Sequence, residues 1–153
     1  MGIPSLLFFV HPVLVGSVQD VPLAQASISS INGLMRRLLV DLPVMTALIE
    51  ELVFRSLLFA PLGSLRRTLV VNAGLFTVWH GVAAYTSVLD TPLSHSPGLM
   101  LSYAGALGSV FVGGLVFAFV RWKTGSFIYS ALTHWLTDAL ILVALWGVSH
   151  LSW

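Results

Sequence analysis

Four apolar stretches, at about residues 42–62, 68–90, 99–121 and 127–148, constrain this chain more than any other feature. Each matches a hydrocarbon layer about 30 Å thick, which takes about 20 helical residues to cross. Only 8% of the 153 residues are charged, against roughly 25% in an average soluble domain, and mean hydropathy is +0.94. The sequence therefore predicts an all-α fold: a polytopic transmembrane helical bundle with four core spanning helices. The breaks "PLGSLRR" (61–67), "DTPLSHSPG" (90–98) and "WKTGS" (122–126) each carry Pro or Gly among polar residues.

Two further segments precede the spans. Residues 3–18 form a short apolar run interrupted by His11 and Pro12. It reads as a retained short helix, because no basic region precedes it, although "AQAS" at 24–27 resembles a signal cleavage site. Over residues 23–40, Ala24, Ile28, Ile31, Met35 and Leu38 oppose Gln25, Ser29, Asn32, Arg36 and Arg37, the pattern of an amphipathic helix lying in the membrane interface. The expected division is an N-terminal part (1–41), a transmembrane core (42–148) and a short tail (149–153).

Charge narrows the partners. Seven Lys/Arg against six Asp/Glu leave +1, and no basic tract suggests nucleic acid. The absence of cysteine excludes disulfides, thiol catalysis and Cys-ligated metal. Arg66, Arg67, Arg121 and Lys123 flank the first and third breaks, which places those loops in the cytoplasm and 90–98 outside, with Arg36 and Arg37 on the opposing side.

Ionisable groups inside spans are expensive and mark functional sites by default. Six stand out: Glu50, Glu51 and Arg55 in the first span, His80 in the second, His134 and Asp138 in the fourth. Glu50, His80 and Asp138 fall near mid-membrane, with His134 one turn from Asp138. Three helices thus bring polar groups to one depth, which a bundle satisfies only by turning them toward each other or toward a wet pocket.

Spacing separates the roles. Glu51 and Arg55 are i and i+4 with the acid first, so they pair and cancel. Glu50 is rotated about 100° away, given ~3.6 residues per turn, and has Phe54 and Thr46 where a cation would sit. That leaves Glu50 as the candidate general base. His80 closes "FTVWH" and is its expected partner, while His134 and Asp138 in "HWLTD" share a face. The competing reading is a structural polar network. His11, His95 and His150 read as bystanders. Gly105, Ser109 and Gly113 read as close helix packing. Trp122, Trp146 and Trp153 suit interfacial anchoring, and Trp79 and Trp135 would wall the pocket.

In that order "EELVFR", "FTVWH" and "HWLTD" fit the patterns EExxxR, FxxxH and HxxxN, the last with Asp138 in place of Asn. Across residues 42–148 the set resembles the CAAX protease and bacteriocin-processing (CPBP, or ABI) family of intramembrane proteases. The resemblance implies that Glu50 activates water with help from His80, that His134 and residue 138 stabilise the oxyanion, and that Glu51 and Arg55 give structural support. An ionised Asp138 would repel an oxyanion, so it is either protonated or orients His134 and supports an imidazolium donor. The expected activity is an intramembrane endopeptidase of glutamic type without a cofactor. It would cut near the C-terminus of a membrane-anchored protein or peptide in a lipid bilayer, removing a sorting signal. The short chain points to a multi-pass protein of the bacterial inner membrane. Two alternatives stand beside this. One is a zinc-dependent intramembrane protease with Glu50, His80 and His134 as ligands. The other is a non-enzymatic proton-coupled carrier or immunity-type protein, although a relay would spread its titratable groups through the membrane rather than cluster them.

Overall fold

A computed structural model describes residue 28, residues 30–89 and residues 98–150, and every regular element among them is helical. The expected helix at 3–18 with His11, the start of the amphipathic segment, His95 and Trp153 lie outside these residues.

The first helix, α1, is assembled from four consecutive stretches: Ile31–Arg36, Arg37–Leu48, Ile49–Glu51 and Leu52–Leu57, with right-handed backbone at each junction. Ser30 starts it, its extended backbone letting the hydroxyl accept the Gly33 N–H at 3.2 Å. The expected boundary between an interfacial helix ending at 40 and a span starting at 42 is not observed. Nothing in "RRLLVDL" stops a helix, and the chain winds straight through.

Pro43 lies inside α1, where α-helical winding would set its ring against a carbonyl. The helix is loosened around it: Arg37–Leu48 is π-helical, with i→i−5 hydrogen bonding, as is Leu52–Leu57 beyond the α-helical Ile49–Glu51. α1 stops at Leu57 rather than 62, because Pro61 biases Ala60 away from the helical region and Gly63 turns the chain at φ 81°. Its last carbonyls would otherwise be orphaned. Asn72 Nδ2 donates to Phe54 O at 2.7 Å and Arg121 Nε to Arg55 O at 2.7 Å, so side chains of other helices cap this end.

Ser64 then caps α2 (Leu65–Trp79). The second expected span is not continuous. It breaks at His80 (ψ −2°) and resumes as α3 (Gly81–Leu89). α4 (Leu99–Thr124) and α5 (Phe127–His150) follow, joined through Gly125 in the left-handed region at φ 71°.

α4 and α5 are the two helices long and apolar enough to cross a membrane, so two of the four expected spans meet that measure among the described residues. Only 28% and 33% of their most apolar windows are buried, and Leu101 (78%) and Leu140 (71%) are among many exposed apolar side chains. A soluble core helix would hide such residues; here they present a surface suited to lipid.

α2 runs antiparallel to α4, with Ala73 against Gly114 and the Tyr103 hydroxyl donating to Gly81 O at 3.2 Å. Arg66 and Arg67 therefore share an end with Arg121 and Lys123. Phe54, Phe76, Ala84, Ala106, Val110 and Phe117 form the main core, and Ile28, Leu34 and Leu142 a second cluster.

The close helix contact is not at Gly105, Ser109 and Gly113. It is at Gly114, where an added Cβ would lie 3.1 Å from Ala73 Cα and 3.3 Å from Phe76 Cδ1. Gly105, Ser109 and Gly113 instead line a groove of about 550 Å³ with Gly108, Val112, Val116, Phe117 and Thr137. Gly114→Ala should therefore lower stability by about 1–3 kcal/mol through overpacking. Gly108→Ala, whose Cβ meets nothing within 4 Å, should leave it unchanged or raise it. Thermal unfolding of both variants in the same detergent checks this contrast.

Candidate active site

The chemistry gathers where α1, the α2–α3 break and α5 meet. Glu51 is fully buried and forms its hub. One carboxylate oxygen, Oε1, lies 3.0 Å from Arg55 Nη1 and accepts the His134 Nδ1–H at 3.0 Å. The other, Oε2, pairs with the Ser130 hydroxyl, which also contacts Phe117 O at 2.9 Å. The expected Glu51–Arg55 pair is therefore present, and Glu51 also fixes a histidine from another helix.

Arg55 is equally buried, a position an unpaired guanidinium could not occupy. Its Nη2 donates to Gly114 O at 3.1 Å, and its guanidinium lies 4.3 Å from the centre of the Phe76 ring. The missing side chain at Gly114 thus serves both helix approach and this contact.

Glu50 faces away from that pair, as its rotation on α1 requires, and is the more accessible acid, with 15% of its side chain exposed. Its Oε2 lies 3.3 Å from His80 Nε2 and 3.9 Å from His134 Nε2. No hydrogen bond within the described residues satisfies that oxygen. His80 is held by its own motif: Nδ1 lies 2.8 Å from Phe76 O, one turn back, and the two rings are 4.3 Å apart. A carbonyl only accepts, so Nδ1 carries the hydrogen, and in the neutral ring Nε2 presents its lone pair toward Glu50. The helix break is what lets residue 80 turn into the site.

His134 is clamped between acids. Glu51 holds Nδ1, while Nε2 lies 3.4 Å from Asp138 Oδ2 and 3.9 Å from Glu50 Oε2. Phe117 stacks on its ring at 4.5 Å and 20°. Asp138 Oδ2 also has no hydrogen-bond partner within the described residues. Glu51 holds one ring nitrogen, and Asp138 faces the other, the one that points at Glu50. Among the described residues, no group of three His, Asp or Glu side chains is spaced to hold a metal ion.

Trp79 and Trp135 do not wall this centre as expected. Trp79 is 67% exposed, and Trp135 Nε1 is committed to Leu38 O at 2.7 Å. Phe76 and Phe117 form the walls instead. Ser130, Asn72 and Phe117 escaped the sequence reading, and Arg121, there a loop charge, also caps α1. Only Ser130 carried a signal, standing one turn before His134 on the face that Asp138 continues.

Buried carboxylates and imidazoles on three chain segments, set in a helical scaffold with a lipid-suited surface, define a membrane-embedded protein with an acid–histidine centre. The chain belongs to the Rce1-like family, the type II CAAX prenyl endopeptidases: the family model matches residues 34–140, from α1 to α5, and includes all six residues above. This places it within the wider CPBP group, a membrane-embedded protease family. No curated protein and no solved structure matches the chain.

Ser130→Ala should cost about 1–3 kcal/mol, the penalty of leaving a buried acceptor unsatisfied. Arg55→Gln, which strands the Glu51 charge, should cost about 3–5 kcal/mol. Unfolding midpoints in detergent should rank wild type above Ser130→Ala above Arg55→Gln.

Proposed function

We propose that this protein is an intramembrane endopeptidase of glutamic type. The observation that carries the reading is the convergence of Glu50 Oε2 with the Nε2 atoms of His80 and His134, from three parts of the chain. Glu50 Oε2 has no hydrogen-bond partner within the described residues, and a water molecule seated beside both it and His80 Nε2, which stand 3.3 Å apart, would satisfy it. Glu50 takes a proton from that water, and His80 Nε2 holds the second hydrogen. The hydroxide attacks the substrate carbonyl. His134, donating from Nε2 and supported by Asp138, stabilises the developing oxyanion, a role worth about 10²–10³ in rate for one well-aimed donor. Glu50 then returns its proton to the leaving amine.

In this reading Glu51 and Arg55 are support: both Glu51 oxygens are engaged by Arg55, His134 and Ser130, and their task is to hold His134. The clustering of acids and imidazoles at one point favours a reaction centre over a carrier's relay, which needs such groups spread through the membrane's depth. The family's description as prenyl endopeptidases supports a protein or peptide substrate. Our reading is a membrane-anchored one cut near its C-terminus, with removal of a C-terminal sorting signal at a bacterial inner membrane.

Two probes in proteoliposomes test this: a farnesylated peptide ending in a CAAX box, and a peptide ending in an apolar helix and basic tail. Glu50→Gln should lower cleavage by about 10²–10⁴-fold with the unfolding midpoint retained. Glu51→Gln should chiefly lower the midpoint. Wild-type cleavage by a folded Glu50→Gln protein refutes the assignment. Activity should also persist in protein stripped of metal by chelation; its loss there, with restoration by Zn²⁺, favours the zinc-dependent alternative through Glu50, His80 and His134.

A further inference from the structure

We propose that Trp135 is a positioning residue: it sets the register of α5 against α1 and thereby the aim of His134 at Glu50, an inference that rests on the proteolytic reading above. Pro43, inside α1, has no N–H to donate. In the π-helical stretch Arg37–Leu48 the missing donor would have served the carbonyl five residues back, that of Leu38. An unsatisfied carbonyl in hydrocarbon is costly. The Trp135 indole supplies the missing donor, with Nε1 2.7 Å from Leu38 O.

That bond joins the α1 backbone to the residue next to His134. Its acceptor is a main-chain oxygen with no rotamers of its own, so it fixes axial position better than a side-chain pair could. The faces of α5 divide the work. Ser130, His134 and Asp138, at i, i+4 and i+8, carry the centre, while Trp135, Leu142 and Trp146, at i, i+7 and i+11, face the first part of α1 and the residues before it. The other polar contacts made by α5 to α1 at this level are those of His134 with Glu50 and Glu51, which use the reacting ring, and that of Ser130 with Glu51, which is support like the Trp135 bond. The Trp135 bond holds α5 without occupying any reacting group. His134 Nε2 stands only 3.9 Å from Glu50 Oε2, so a small slide of α5 misplaces the donor. A displacement of about 1 Å can cost about 10²-fold in rate.

Pro43 also provides the control. Trp135→Phe keeps the ring and removes the donor. Adding Pro43→Ala restores an N–H that can serve the Leu38 carbonyl from within α1, so the carbonyl is satisfied again while the tie between helices stays cut. Wild type, Trp135→Phe and Pro43→Ala/Trp135→Phe are compared as full chains in proteoliposomes. The readouts are the unfolding midpoint, kcat and KM on the two peptides above, and the ¹⁵N signals of the His134 ring.

Trp135→Phe should lower kcat about 10–100-fold with KM unchanged, shift the His134 signals and lower the midpoint. The double variant should recover the midpoint but neither kcat nor the ring signals. Recovery of all three together would mean that Trp135 only satisfies a carbonyl, and an unchanged kcat and spectrum in Trp135→Phe would equally overturn the proposal. If Glu50→Gln cleaves like wild type, the proteolytic reading fails instead, and the His134 signals still decide the register.

Discussion

The carboxylate of Glu51 is the constraint on which the rest depends. A charge with no exposure to solvent is tolerable only when its neighbours compensate it, and three do so: Arg55 from its own helix, Ser130 and His134 from α5. Meeting that demand fixes how α1 and α5 approach and which edge of His134 is used up in structure. Arg55 then needs a carbonyl of its own and finds it at Gly114, which draws α4 in. Three helices are thus referenced to one acid that does no chemistry in the proposed mechanism. Its neighbour, Glu50, inherits a defined position.

Much of this is written locally and could be read from spacing. Glu51 and Arg55 stand four apart with the acid first, and the coordinates pair them at 3.0 Å. The rotation of Glu50 away from that pair followed from helical geometry, and its proximity to two imidazoles from matching depth. What was not legible depends on neighbours. Which acid meets which histidine nitrogen is a question of how helices face each other, and no local pattern encodes it. Hence Glu51 as the anchor of His134, and Ser130 beside it, emerged only with coordinates. The break at His80 was hidden for a similar reason. "FTVWHGV" has no proline, and the turn is sustained by contacts to Phe76 and by Tyr103 reaching Gly81.

The helix boundaries failed in an instructive direction. Amphipathic spacing to 40 and an apolar stretch from 42 suggested two helices, yet the chain winds through Pro43 with π-helical turns and lets a tryptophan from α5 serve the stranded carbonyl. Small residues on α4 misled similarly. A four-residue repeat of Gly105, Ser109 and Gly113 has the look of a packing stripe, but the contact belongs to Gly114, one residue on, and the stripe borders a groove ending beside His134's stacking partner Phe117.

The loosened winding of α1 has an evolutionary corollary. A turn closed from i to i−5 houses one residue more than a turn closed from i to i−4, so Arg37–Leu48 carries slack in chain length. A one-residue deletion there can be taken up by tightening to ordinary α-winding, leaving the glutamates facing as before. Leu52–Leu57 is wound the same way, but there the spacing itself is in use, since losing a residue between Glu51 and Arg55 would swing the guanidinium off its acid. Insertions and deletions among descendants of this sequence should therefore collect upstream of the acid pair and spare the six positions that follow.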